Sequence, residues 1–317
     1  MLRNNDIGDL LIVTPLFEAL KRTFPDAEIM AGIGSWNTGV LLGNPYVDRV
    51  VPINGPWHNH FVQPQTVLRA VGFAFFSDEA KVLQDLNADV GIDVLGSGFG
   101  SLLMIRAGIP YRLGVRGYAG GDSVVQSAVD YNPNTHVGRQ ALNFAQILGC
   151  SDLPENRPQI FLEERIQPHR AVVFAPGSGD AKKAWPGDHF VKLSGLLRDQ
   201  KLFVIGSQSE LGLAEKISRN HGAARNLTGR LTLRESFGVV GGAKLVVSNS
   251  SMAMHVAAAF RRPCATLLGE AVSSASQHHR QWGYPETLML GRDVNRPEIF
   301  NPQEAADKIR ALLAEVS

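Results

Sequence analysis

The chain has 317 residues, 44% of them hydrophobic and 19% charged, and its 31 basic and 30 acidic side chains leave a net charge of +1. That composition can bury a core, which excludes a disordered chain, and the near-neutral charge gives no case for a nucleic-acid surface built on bulk charge. At roughly 150 residues per domain the length suggests two domains. No apolar run reaches the roughly 18 residues of a membrane span, and no charged-then-apolar leader opens the chain, so a cytoplasmic protein still able to touch a membrane is expected. Cys150 and Cys264 lack metal-like spacing and read as buried thiols of a reducing compartment.

Leu10, Leu11, Val13, Leu16, Phe17 and Leu20 recur at helical spacing and predict a helix from Asp9 to Thr23. Only Met1, Leu2 and Arg3 precede the polar turn Asn4–Gly8, so the first strand is stunted or the chain begins late. Ala27–Ala31 and Arg49–Ile53 read as strands around a helix at Asn37–Gly43 that Asn44 and Pro45 close. This βαβ alternation predicts a parallel sheet. The loop Asn54–Pro64 carries Trp57, His58 and His60; two histidines make a metal site conceivable, but no third ligand stands near. A helix over Val67–Leu86, a strand at Val90–Leu95, a helix at Ser101–Ala107, a strand at Tyr111–Val115 and a helix from His136 to Leu148 follow. Gly117–Asp122 is glycine-rich but lacks the strand-turn-helix order of a dinucleotide fingerprint.

Gly149–Pro158 has no periodicity and reads as a domain linker. Beyond it the alternation restarts. Strands are predicted at Ala171–Ala175, Leu202–Ile205, Ala224–Asn226, Leu245–Val247, Cys264–Leu268 and Leu288–Gly291, and helices at Pro186–Asp199, Glu210–Asn220, Leu233–Val240 and Pro302–Val316. Between Leu245 and Pro263 a buried strand feeds a polar turn, Ser248–Ser251, and an alanine-rich helix, Met254–Phe260, closed by Arg261, Arg262 and Pro263. The unpaired amides of such a helix start, with its positive dipole end, suit a phosphate or pyrophosphate. The competing reading is an ordinary connection, since most strand-turn-helix junctions bind nothing.

Four segments, IGDLLIVTPLFEALKRTFPDA, FAPGSGDAKKAWPGDHF, NLTGRLTLRES and VSNSSMAMHVAAAFRRP, together resemble glycosyltransferase family 9, the ADP-heptose:lipopolysaccharide heptosyltransferases. The resemblance covers nearly the whole chain. It implies an α/β GT-B architecture: two Rossmann-like, doubly wound parallel-sheet domains facing a cleft. An acceptor-binding domain would span 1–155 and a nucleotide-sugar-binding domain 156–317, and the last helix can pack back on the first domain. The implied reaction is inverting, metal-independent transfer of a sugar from a nucleotide sugar, ADP-heptose being favoured. The acceptor would be a lipopolysaccharide-type or other glycan, or a lipid-linked one at the inner face of the membrane, with no cofactor and no nucleic acid.

By the same resemblance Asp9 is the general base for the acceptor hydroxyl, although an aspartate there also reads as a helix N-cap. Asp6 is a neighbour able to substitute, and Arg3 a contact for an anionic acceptor. Lys183 meets the donor diphosphate, Ser178 and Gly179 lie near the nucleotide, and Glu210 is a candidate for the ribose hydroxyls. Amides at Ser251, Met252 and Ala253 take the pyrophosphate, while His255 is either a ligand or packed core. Where the family commonly reads N-D-S-G-P-M-H, this chain has Asn249, Ser250, Ser251, Met252, Ala253, Met254 and His255. The carboxylate has become Ser250, the glycine Met252 and the proline Ala253. Two rival readings remain open: a degenerate member that binds sugar nucleotide or glycan without transfer, and a sugar-nucleotide-modifying GT-B-like enzyme such as an epimerase.

Overall fold

The structure, a computed structural model, describes residues 1–315. It divides into two compact units, Met1–Phe161 and the chain from Leu162 onward.

In the first unit the strands are β1 (Leu2–Arg3), β2 (Met30–Ile33), β3 (Arg49–Pro52), β4 (Val90–Ile92), β5 (Tyr111–Arg116) and β6 (Ser127–Asp130). All pair in parallel, as β3-β2-β1 and β4-β5-β6, and a parallel bridge from Leu2 to Asp93 joins the two runs. Around them lie α1 (Ile7–Leu11), α2 (Pro15–Thr23), α3 (Thr38–Leu41), α4 (Val67–Phe76), α5 (Asp78–Asp85), α6 (Gly98–Arg106) and α7 (Val137–Ile147). Leu2, Ile53, Trp57, Leu103 and Met104 form part of the core beneath them.

Two predicted helices are each broken in two, for identifiable reasons. Pro15 has no N–H and its ring excludes the Leu11 carbonyl, which the Thr14 hydroxyl takes instead at 2.8 Å, so α2 starts afresh at Pro15. Ser77 is extended and caps α5 by accepting from the Ala80 amide at 3.0 Å, which ends α4. The run Gly149–Pro158, read as a linker, lies within the first unit: Cys150 is buried, and just beyond the run the Gln159 amide donates to the Thr14 hydroxyl at 2.8 Å. One helix has an unusual outer face. In α4 the small Ala70 and Ala74 are fully buried while Leu68 is 83% and Phe76 80% exposed, the reverse of ordinary amphipathic packing.

The second unit contains β7 (Val172–Ala175), β8 (Leu202–Val204), β9 (Arg225–Asn226), β10 (Leu245–Ser248), β11 (Cys264–Leu267) and β12 (Thr287–Leu290). They form one parallel sheet in the order β9-β8-β7-β10-β11-β12. Its helices are α8 (Gly187–Leu196), α9 (Leu211–His221), α10 (Leu233–Gly241), α11 (Met252–Ala259), α12 (Ala275–Trp282) and α13 (Pro302–Glu315). The last helix was predicted to run to Val316, which lies outside the described residues. Within its unit α13 packs on α8, adding Ala305, Ile309 and Leu313 to a core with Phe174, Trp185 and Phe190. Neither β6 nor α12 is foreseen in the sequence. The former is a four-residue strand of mixed polarity, and the latter, ASQHHRQW, buries only Ala275 and shows no apolar stripe.

Trp185 anchors the loop before α8. It is 1% exposed, its ring packs edge-on against Phe190, and its indole N–H donates to the Phe300 carbonyl at 2.8 Å. Trp185→Ala should lower the unfolding free energy in urea by about 3–5 kcal/mol, and Trp185→Phe, which mainly orphans that carbonyl, by about 1–2 kcal/mol. Equal losses in the two variants would show that the hydrogen bond, and not the packing, carries the effect.

Candidate active site

In both units the first and fourth strands lie side by side, and the chain departs from them toward opposite edges of the sheet. Loops at the carboxyl ends of such a pair are held apart and leave a crevice, the usual ligand position in open α/β sheets.

In the first unit the loop after β1 is fixed by its asparagines. Asn4 Nδ2 donates to the Gly55 carbonyl (2.7 Å) and Asn5 Nδ2 to that of His58 (2.9 Å), while the Trp36 indole and the Asn37 amide donate to the Asn5 carbonyl. Arg3 ends β1 and is 4% exposed. The sequence offered it to an anionic acceptor; instead it is buried, with Nε donating to the Asp9 carbonyl (3.1 Å) and Nη2 to Asp9 Oδ1 (3.4 Å). Asp9 is three residues past the N-cap position of α1, which Asp6 occupies, so its carboxylate is held by Arg3 and does not cap. Asp6 is itself engaged, accepting the His60 amide at 3.0 Å and pairing with the His60 ring.

A third carboxylate, not singled out in the sequence, faces the same guanidinium. Asp93 is buried, accepts the Ser97 amide at 2.8 Å and the Leu95 amide at 3.1 Å, and fills the space where a side chain at Gly100 would stand. Burial pushes its carboxyl up to about 6, against the pull of those amides and of Arg3.

In the second unit Asn249, fully buried at the end of β10, ties the two central loops together. Its Oδ1 accepts the Trp185 amide (2.9 Å), and its Nδ2 donates to the Pro176 carbonyl just after β7 (2.6 Å). The Gly269 amide donates to the Lys183 carbonyl at 2.9 Å, an approach so close that a Cβ at Gly269 would collide with Ala184. Lys183 is thereby placed with a side chain 56% exposed, 3.8 Å from Asp180. The Ser178 hydroxyl donates to the Asp180 carbonyl at 2.9 Å, and Gly179 is exposed at the loop tip.

At the junction between β10 and α11, the helix begins at Met252, two residues earlier than predicted. Its N-cap, Ser251, makes no side-chain capping bond, and Met254 donates to the Ser251 carbonyl at 3.1 Å. The amides of Ser251, Met252 and Ala253 thus precede Met254, the first amide to donate within the helix, with Met252 half-buried beside them.

The Ser250 hydroxyl lies 2.7 Å from Nε2 of His278, on α12. Burial first, then the Lys183 ammonium and the neighbouring His279, push that imidazole down to about 4, so it is neutral. Ser250, Lys183 and His278 therefore share one neighbourhood. Glu210 abuts Gly177 just past β7 but spends its carboxylate on a capping box, accepting from the Ser207 amide (2.7 Å) and hydroxyl (2.8 Å). His255 is 5% exposed, with Nδ1 2.8 Å from the Tyr284 hydroxyl and its ring edge-on to Tyr284 and Trp282, away from the start of α11. Among the described residues no group of three histidine, cysteine or acidic side chains is arranged to hold a metal ion.

The profile of glycosyltransferase family 9 (heptosyltransferase) matches residues 79–284. The chain belongs to glycosyltransferase family 9. It is 25% identical over 292 residues to lipopolysaccharide heptosyltransferase 2 of Escherichia coli, covering 83% of this chain and 80% of that protein. Its fold is similar to that of a glycosyl transferase family 9 protein from Veillonella parvula, with TM-score 0.79, 16% identity, and 99% and 96% of the two chains covered. The E. coli heptosyltransferase WaaC, solved with ADP, gives TM-score 0.75 at 19% identity, with 99% and 97% covered. The protein is thus a glycosyltransferase of GT-B type that uses a nucleotide sugar.

For Asp93 the folded pKa of about 6 stands above the ordinary 3.8. Its contribution to stability is therefore present below about pH 4 and lost as pH rises through 6. Asp93→Asn should gain on wild type by on the order of 1–3 kcal/mol between pH 4 and pH 7 in urea titrations. A difference that does not change with pH would mean that Asp93 titrates normally.

Proposed function

We propose that this family 9 enzyme catalyses inverting, metal-independent transfer of a sugar from a nucleoside diphosphate to an acceptor hydroxyl, with Asp9 as base and Lys183 as diphosphate contact. The observation that carries the reading is the Arg3–Asp9 pair: a buried cation holds a carboxylate that keeps 28% of its side chain exposed in the first turn of α1, just past the carboxyl end of the first strand. Asp9 takes the acceptor's proton as the acceptor oxygen bonds to the anomeric carbon. The bond from that carbon to the diphosphate oxygen breaks, and its electron pair leaves with the diphosphate. Lys183 and the amides at Ser251–Ala253 meet the charge that develops there, the place where stabilisation accelerates the step.

ADP-heptose is the favoured donor because the related proteins are named heptosyltransferases and one was solved with ADP. A lipopolysaccharide-type or other lipid-carried acceptor is supported by the apolar outer face of α4, which follows directly on the loop that bonds Asp6. This fits an enzyme working at the inner face of a membrane from the cytoplasm. No helix among the described residues is long and apolar enough to cross one. The reading of a binder that does not transfer draws on Ser250 and Met252, which replace the carboxylate and glycine common in the family.

Asp9→Asn should lower turnover roughly 10²- to 10⁴-fold, measured as nucleotide release, while calorimetry shows donor affinity nearly intact. Near-normal turnover would remove Asp9 from the mechanism. Lys183→Ala should weaken donor binding and slow transfer together, because a contact to the diphosphate acts both before and during bond cleavage. An unchanged donor Kd would make Lys183 a solvated surface residue.

A further inference from the structure

The residue that best joins the donor-side groups is one the sequence reading passed over. His278 reaches Ser250 across 28 residues of chain with a 2.7 Å hydrogen bond, and the Lys183 ammonium is near enough to act on its imidazole. Its helix is fixed from the far side: Ser274, the N-cap of α12, donates to Asp293 at 2.8 Å, and the Ser276 amide donates to the same carboxylate at 3.0 Å. Trp282, one turn on, lies against the His278 ring. The imidazole is therefore presented by a braced helix and not by a free loop.

We propose that His278 is a specificity-determining residue of the donor site, forming with Ser250 an uncharged hydrogen-bonding pair that holds a hydroxyl of the donor's sugar. The inference rests on the donor-site reading above. Ser250 stands between the end of β10 and the first amides of α11, so a group on it lies beside any diphosphate docked at those amides. A carboxylate at this position offers acceptors only, whereas a serine sharing one proton with a neutral imidazole keeps either a free lone pair or a free proton. A sugar hydroxyl both donates and accepts, and either arrangement satisfies it. The imidazole is neutral because it is buried, and beside Lys183. An uncharged pair also withholds the attraction that a carboxylate would give an amino sugar, so the ligand class is a nucleoside diphosphate bearing a neutral, hydroxylated sugar.

A purely architectural bond that pins α12 to the turn would affect ADP and an ADP-sugar alike, and this decides the test. Calorimetry with ADP and with ADP-heptose would be run on wild type, Ser250→Ala, His278→Leu, His278→Gln and the Ser250→Ala/His278→Leu double variant. Each of Ser250→Ala and His278→Leu should raise the ADP-heptose Kd roughly three- to tenfold and leave the ADP Kd within about twofold. The double variant should be no worse than the singles, since the two groups act as one, and His278→Gln should recover part of the loss. Equal losses for ADP and ADP-heptose, or no loss for either, would overturn the proposal. If His278→Leu fails to fold by circular dichroism, Ser250→Ala and His278→Gln carry the comparison. Should wild type bind ADP but not ADP-heptose, the same series applies to other ADP-sugars; should it bind no nucleotide or nucleotide sugar of the ADP, GDP, UDP or dTDP series, the donor-site reading itself fails.

Discussion

A parallel strand cannot follow its neighbour through a hairpin. The chain must leave the sheet, cross one face as a helix and return, so every strand in such a sheet opens its carboxyl end on the same edge. With the order 3-2-1-4-5-6 in each unit, the crossovers run one way from the first strand and the other way from the fourth. At that point the loops diverge, and the backbone groups they expose have no partner from the next crossover. In the first unit these loops bear Asn4–Asp6 and Asp93–Ser97; in the second, Pro176–Lys183 and Asn249–Ser251. The polar side chains buried there, Asn4, Asn5, Asp93 and Asn249, all bond to loop backbone, which is what makes an irregular segment rigid enough to position chemistry.

Within the first unit two carboxylates near one guanidinium have divided the work by environment. Burying Arg3 would be costly without counter-charges, because the desolvation of an ion is offset only by well-placed partners. Asp93 is buried, its oxygens accept the Leu95 and Ser97 amides, and burial outweighs the pull of those amides and of Arg3, holding its carboxyl up at about 6. Its role is to hold the turn into α6. Asp9 keeps contact with solvent on one side and with Arg3 on the other. Separation of two acids by burial is the usual way one fold assigns an anchor and a base.

Much of the fold was legible because buried parallel strands read as short apolar runs: β7, β10 and β11 were placed within a residue or two. Periodicity overran the helix boundaries where a local rule prevailed, the missing N–H of Pro15 and the capping hydroxyl of Ser77. It failed outright at α12, a surface helix without an apolar face, and His278 was lost with it. The roles proposed for Asp9 and Lys183 came through family resemblance, since nothing in one dimension reveals that Arg3 folds back on Asp9 or that Gly269 clasps the Lys183 loop. His255 shows the converse. Its helix α11 is buried nearly all round, and a polar residue in such a helix needs an internal partner, which Tyr284 supplies.

The junction at the start of α11 also changes how charge is balanced around a donor. A carboxylate at position 250 would stand near a docked diphosphate and repel it, and would need a cation or a sugar hydroxyl to offset that. With Ser250 and a neutral His278 in its place, the electrostatic partners that the proposed mechanism leaves for the diphosphate are Lys183 and the amides before Met254. The Lys183 ammonium is more than half exposed and only loosely paired with Asp180, so water screens it and it contributes little to the fold. In the proposed mechanism a bound nucleotide sugar displaces that water, and the same charge then acts at shorter range through a lower dielectric. Its attraction is greatest when the bond to the sugar has broken and the diphosphate carries its full charge. In that mechanism an exposed lysine on a clamped loop is weak in the resting protein and strong at the step where negative charge appears.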